Sequence, residues 1–166
     1  MLALGIDPGT ATTGYGLVRE DAQGGLELVD YGVILTPAGQ PLEQRLKTLY
    51  ERLQEILLLH RPQSGAVEKL FFSRNVTTAL SVGHARGVAL LAMAQAGLQI
   101  AEYTPMEVKQ AVSGYGGADK HQVQVMVQAL LNMTDLPKPD DAADALAVAI
   151  CHVHSYRFSA WGSPEG

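Results

Sequence analysis

Apolar and polar positions along the first 35 residues follow the pattern of strands. The run LALGI (2–6) is apolar and stops at DPGT (7–10), as a buried strand does at a turn. GYGLV (14–18) and LELVDYGVIL (26–35) read as two more strands, with DAQGG (21–25) as the turn between them. The chain therefore opens with a three-stranded antiparallel meander. The period then changes. Leu42, Leu46, Leu49, Leu53, Ile56, Leu57 and His60 recur at steps of three and four, one apolar stripe of a helix over 41–60. Its other face carries Glu43, Arg45, Lys47, Glu51 and Arg52. GAVE (65–68) is a short strand, again ending in a carboxylate, and SRNVTT (73–78) opens a helix to about Ala96, with Gly97 as its stop. LQIAEY (98–103) is a further strand. TPME (104–107) starts a helix with Thr104 at the N-cap, Pro105 in the first helical position and Glu107 closing a capping box. GYGG (114–117) breaks it. DKHQV (119–123) begins another that ends near Asn132, and Pro137 and Pro139 precede a last helix over about 140–157.

The order β-β-β-α-β-α-β-α-α-α predicts an α/β fold. Its mixed five-stranded sheet has an antiparallel first trio, two parallel strands and helices on both faces. Sites in such sheets gather at the C-terminal ends of the parallel strands, where Asp7 and Glu68 stand. The 166 residues suit one domain, with 159–166 expected to be a flexible tail. No run of about 18 apolar residues is seen, so no membrane span is expected. One cysteine, Cys151, excludes an internal disulfide framework and fits a reducing cytoplasm. The formal charge of −5 argues against nucleic acid at first sight. Its distribution softens that: residues 69–120 hold 5 Lys/Arg against 3 Asp/Glu, whereas residues 1–68 hold 5 against 9.

Four acids then need an account. Asp7 before ProGly could start a turn, and Glu68 could be a plain strand-end acid. Asp140 and Asp141 could cap the last helix or favour its dipole, and for Asp140 that is the preferred reading. Asp144 lies about one turn in, where capping no longer helps. It shares a helix face with Asp141, flanked by small alanines that permit close approach to a sheet. Two unpaired carboxylates on a closely packed helix are costly without a cation. With Asp7 and Glu68 they make an all-oxygen ligand set suited to Mg²⁺ or Mn²⁺ and not to zinc. Paired divalent ions are a known device for phosphodiester hydrolysis.

The ordered motifs GIDPGT (5–10), GYG (14–16), AVEKLF (66–71), VKQ (108–110), DKHQV (119–123) and DAADALAVA (141–149) closely resemble the RuvC Holliday junction resolvases over residues 2 to about 155. The resemblance implies a ribonuclease H-like fold over 1–158. It implies a homodimer that nicks two opposing strands of a four-way DNA junction, the twofold of the dimer matching that of the junction. Asp7, Glu68, Asp141 and Asp144 fall on the family's catalytic, metal-holding carboxylates, with Mg²⁺ (Mn²⁺ substituting) in two ions per site. Some relatives carry histidine where this chain has Asp141. Phe71 falls on an aromatic that stacks on opened bases, with Phe72 left to packing. Lys109 and Lys120 fall on basic residues at the cleaved backbone, Lys120 also stabilising charge at the phosphate, and Arg74 on a DNA-contacting position. RuvA- and RuvB-type branch-migration proteins are the implied partners. Gly83 and Gly87 read equally as sheet packing or as a dimer-interface helix.

Two bound dications would cancel the four acids and bring the formal charge to about −1. Lys69, Arg74, Arg86, Lys109 and Lys120 would then meet phosphates. Three other readings stand beside this one. An actin-like phosphotransferase would use DPGT as a phosphate loop but needs a second half. A compact nuclease of ribosomal RNA precursors shares the DPG start. A non-catalytic junction binder is disfavoured by the presence of all four acids.

Overall fold

The computed structural model describes residues 1–69 and 75–161, with side chains of the last helix as far as residue 156. Strands β1 (Leu2–Asp7), β2 (Thr12–Glu20) and β3 (Leu26–Leu35) are followed by α1 (Leu42–His60), β4 (Ser64–Glu68), α2 (Val76–Gln95) and β5 (Gln99–Tyr103). Helices α3 (Pro105–Ser113), α4 (Lys120–Leu130) and α5 (Asp140–Trp161) complete the chain. The sheet order is β3-β2-β1-β4-β5. β1, β2 and β3 pair antiparallel, whereas β4 runs parallel to both β1 and β5. The expected mixed α/β sheet is what forms.

Strand alternation divides the core in two. Leu2, Leu4 and Ile6 of β1 point to the layer of α1 and α2, with Leu49, Leu53, Ala85, Ala89 and Met93. Ala3 points the other way, to α3, α4 and α5, with Ala66, Val108, Val127, Leu146 and Ile150. Helix α5 lies unusually close to the sheet. A Cβ on Gly5 would sit 2.2 Å from the Ala145 carbonyl oxygen, and one on Gly14 only 1.9 Å from that of Asp141. Only glycine at these strand positions admits this approach, and it sets the height at which α5 carries its acids.

Several element ends differ from the sequence expectation. β2 extends to Thr12 and Glu20 because it is paired on both edges, to β1 and β3, beyond its apolar stretch. α2 starts at Val76, since the Asn75 side chain caps it by accepting from the Thr78 N–H. Leu98 donates to the Met93 carbonyl and finishes the turn after α2, so β5 begins one residue later. α5 continues through Trp161, past the expected domain end at 158. The premise that no run is apolar enough to span a membrane needs correction at α2, which by length and composition alone could do so, with a mean hydropathy of 1.2. Its buried Ala85, Ala89, Ala92 and Met93 and the Arg86–Glu102 ion pair to β5 tie it to the sheet instead.

Candidate active site

Period-two alternation puts Ala3, Gly5 and Asp7 of β1 on the α5 side. Ser64, Ala66 and Glu68 of β4 share it. Asp7 and Glu68 thus end two adjacent parallel strands on the same face. The loop after Asp7 is pinned by hydroxyls. Thr10 donates to the Ser81 carbonyl at 2.6 Å, Thr36 to the Thr10 carbonyl at 2.5 Å, and Thr13 to the Gly9 carbonyl at 2.6 Å. Thr10, Thr13 and Thr36 are buried. The turn reading of DPGT is therefore right for ProGlyThr, while Asp7 itself is the last residue of the strand.

Helix α5 brings the other two acids from above. One carboxylate oxygen each from Asp7, Asp141 and Asp144 lie within 4.8 Å of one another. Glu68 stands outside this trio but lines the same cleft of about 270 Å³ with Asp7, Asp144, Lys109 and Lys120. The electrostatics are those of crowded acids. Burial first, then the charges of Asp144 and Asp141, push the Asp7 carboxyl up to about 8. Burial and Asp144 raise Glu68, with Lys109 opposing. Burial raises Asp144 against the pull of Lys120. Among the described residues no cation pairs with Asp7 or Asp141. Hard oxygen donors crowded in this way suit a divalent ion such as Mg²⁺ or Mn²⁺, whose charge would relieve the repulsion.

The lysines are placed by helix starts. Asp119 caps α4 in a capping box with Gln122, a signal the sequence reading passed over, and this sets Lys120 at the first helical position. Its Nζ lies 3.3 Å from Asp140 and 3.4 Å from Asp144. Burial works to lower the Lys120 pKa, but Asp144 and Asp140 outweigh it and hold it above its usual value. Asp140 accepts from Lys120 and from Gln124 at 3.0 Å, and these bonds lower its pKa. Asp140 is thus more than a first-turn acid: it tethers Lys120. Lys109 projects into the cleft from α3, whose predicted capping box is present in full.

Other expectations fare differently. Arg86 is not a free phosphate-binding cation, because its Nη2 pairs with Glu102 at 2.7 Å and its side chain is only 19% exposed. Gly87 is exposed, and a Cβ there would meet nothing within 4 Å. That removes the sheet-packing reading for this glycine. Phe71, Phe72 and Arg74 lie outside the described residues.

Residues 3–152 match the family model of the crossover junction endodeoxyribonuclease RuvC. A protein of that name from Syntrophomonas wolfei is 55% identical over 161 residues, 97% of this chain and 93% of the relative. One from Chloroflexus aurantiacus is 59% identical over 155 residues, 93% of this chain and 94% of the relative. The solved structure of Thermus thermophilus RuvC in complex with Holliday junction substrate superposes with a TM-score of 0.90 at 38% identity, covering 96% of each chain.

Proposed function

The chain belongs to the family of RuvC crossover junction endodeoxyribonucleases, and on that premise we propose that it resolves four-way DNA junctions by metal-dependent, paired nicking of two opposing strands. The observation that carries this reading is the trio of Asp7, Asp141 and Asp144, held at the end of a central strand with their oxygens within 4.8 Å. A fold does not bury mutually repelling carboxylates for stability.

In this reading Asp7, Asp141 and Asp144 hold Mg²⁺, or Mn²⁺ in its place, and Glu68 completes the ligand set for two ions. Bound dications supply activation of the attacking water and neutralisation of charge on the leaving oxygen. The chain's own residues do the rest. Lys120, anchored by Asp140 and Asp144, offers its ammonium to the scissile phosphate. Negative charge grows there as a water oxygen bonds phosphorus and the backbone P–O bond breaks. Lys109, beside Glu68, steadies the same strand. Phe71 and Arg74 take base-stacking and phosphate contacts on the strength of the resemblance alone.

The outer face of α2 supports a homodimer. Val76, Leu80, His84, Gly87 and Leu91 are exposed at helical spacing, and Gly87 leaves room for a second helix to approach closely. Two copies about a twofold axis give two clefts for two strands. RuvA- and RuvB-type proteins are the expected partners, in the cytoplasm.

The test offers the purified chain a synthetic mobile four-way junction and a linear duplex, with and without Mg²⁺ or Mn²⁺. Symmetric nicks in the junction alone, and only with metal, are expected. Junction affinity should fall by orders of magnitude between about 50 and 200 mM salt. Binding without cutting in either metal would refute the nuclease reading.

A further inference from the structure

The loop between α3 and α4 holds the most exposed aromatic side chain among the described residues, Tyr115, at 65% exposure. Beside it Met106, in the first turn of α3, is 68% exposed. Neither is loosely placed. Ser113 Oγ accepts from the Tyr115 N–H at 3.3 Å while donating its proton to the Lys109 carbonyl at 2.7 Å, which ties the loop back to α3. Gln110 Nε2 donates to the Gly114 carbonyl at 3.0 Å, and Ala118 N–H to the Tyr115 carbonyl at 3.2 Å. The Tyr115 ring lies across Gly117, where a Cβ would come within 2.7 Å of it. Met106 lies across Gly116, where a Cβ would come within 2.9 Å of its Cγ. The GYGG glycines thus form a shelf on which two large apolar side chains rest with their outer faces uncovered.

A bare apolar patch held this firmly suits a ligand with a flat apolar face. Its neighbours say which kind. Lys109 lies about one turn beyond Met106 on α3, and Lys120 opens the helix that follows the loop; both line the carboxylate cleft. Cations on the two helices that flank the loop, both lining the cleft, match a strand that carries phosphates and bases together. We propose that Met106 and Tyr115 form a base-stacking platform. It holds a nucleobase of the cut strand within a few nucleotides of the scissile phosphate and so contributes to the choice of cleavage sequence. This rests on the nuclease reading above.

The test pairs Tyr115→Ala, Tyr115→Leu and Tyr115→Phe with junctions in which single positions around the cleavage point are made abasic. Base–aromatic stacking predicts about tenfold weaker binding or slower cutting for Tyr115→Ala. Tyr115→Leu, which keeps bulk without a π face, should lose most of that, and Tyr115→Phe should keep wild-type behaviour. One abasic position should impair the wild type about as much as Tyr115→Ala does and add little to that variant. Thermal melting checks that each variant folds; the hydrogen bonds holding the loop do not use the ring. If the wild type cuts and Tyr115→Ala cuts as fast, or if every abasic site adds its full effect to the variant, the platform is wrong and the nuclease reading stands. The same holds if the loss is seen only when a protein partner is added, which would make the shelf a protein-docking surface. A wild type that leaves the junction uncut overturns the nuclease reading itself, and the platform with it.

Discussion

At its first turns α5 carries Asp141 and Asp144 against Asp7. About two turns beyond Asp144, the same helix carries His152 against Ser64 and Tyr103. His152 is 4% exposed, its Nε2 lies 2.5 Å from Ser64 Oγ, and its Nδ1 lies 2.8 Å from the Tyr103 hydroxyl. Ser64 gives its own proton to the Gln99 carbonyl at 3.1 Å. Both ring nitrogens are therefore matched. At the acidic end like charges face one another and Asp7 is held up to about 8. One helix, packed on one sheet, satisfies its polar group where the role is structural and leaves the polar groups in conflict where a cation would resolve them. Conflict of this kind, and not burial as such, is what singles out the acidic end as the candidate site.

The contrast breaks most sharply at Asp7. Asp7→Asn removes one member of the trio, and junction cutting should fall by about a thousandfold or more. The metal-free variant should melt at a higher temperature than the parent, by about 1–2 kcal/mol of stability, because the repulsion is relieved. A nicking assay and a thermal melt read the two effects. Wild-type cutting would remove Asp7 from the site, and an unchanged melt would mean that the crowding is harmless. The next largest effect belongs to the surface that sets the helix height. Gly14→Ala would press a methyl into the Asp141 carbonyl, 1.9 Å away. A loss of about 3 kcal/mol is expected, and cutting should suffer with it as α5 lifts. Gly16→Ala sharpens this, since its Cβ meets Leu146 at 2.8 Å, further along α5 than the Asp141 carbonyl that Gly14 faces. It should destabilise the fold with less loss of cutting per unit of stability lost.

At the far end the outcome reverses. His152→Ala leaves Ser64 and Tyr103 short of a partner and should reduce stability by about 1–3 kcal/mol. At a temperature where the variant is folded, cutting should be near normal. Denaturant melts and a nicking assay separate these. A large loss of cutting in folded protein would show that the two ends are coupled.

How far the sequence revealed this difference depends on which interactions are local. The strands, the α3 capping box and the three-residue spacing of Asp141 and Asp144 are set by neighbours in the chain, and they were legible. So was the clustering of acids at one end of the sheet, while the role of each acid rests on the motif resemblance. What escaped was settled between elements. Asp140 looked like a first-turn acid because its link to Lys120 spans two helices. Arg86 looked like a free cation because Glu102 reaches it from β5. Glu68 lines the same cleft from β4, but among the described residues the tight group is Asp7, Asp141 and Asp144, a distinction the spacing could not show. His152 drew no notice at all, because its partners come from β4 and β5 and a lone histidine on an apolar helix carries no local signal.

The smallest predicted effect separates the two ends by the sign of their response to pH. Burial alone holds the His152 pKa below its ordinary 6.5. Folding thus favours the neutral ring, so its contribution is present above about 6.5 and is lost as pH falls from there to the lowered value in the fold. Asp7 acts oppositely in metal-free protein. Its pKa rises from 3.8 to about 8, so folding favours the protonated acid and stability is lost as pH climbs through that window. The whole-protein profile mixes the two, and a difference isolates the histidine. Denaturant melts of the parent minus those of His152→Gln, which keeps one donor and one acceptor, should be level above about pH 7. Below that the parent should lose ground by at most about 1.4 kcal/mol per pH unit. The Asp7→Asn background should leave that difference unchanged while flattening the alkaline fall. A difference curve level throughout would mean that the ring accepts a second proton in place, with Tyr103 turning its hydroxyl proton away. The far end of α5 would then tolerate charge as the acidic end does not.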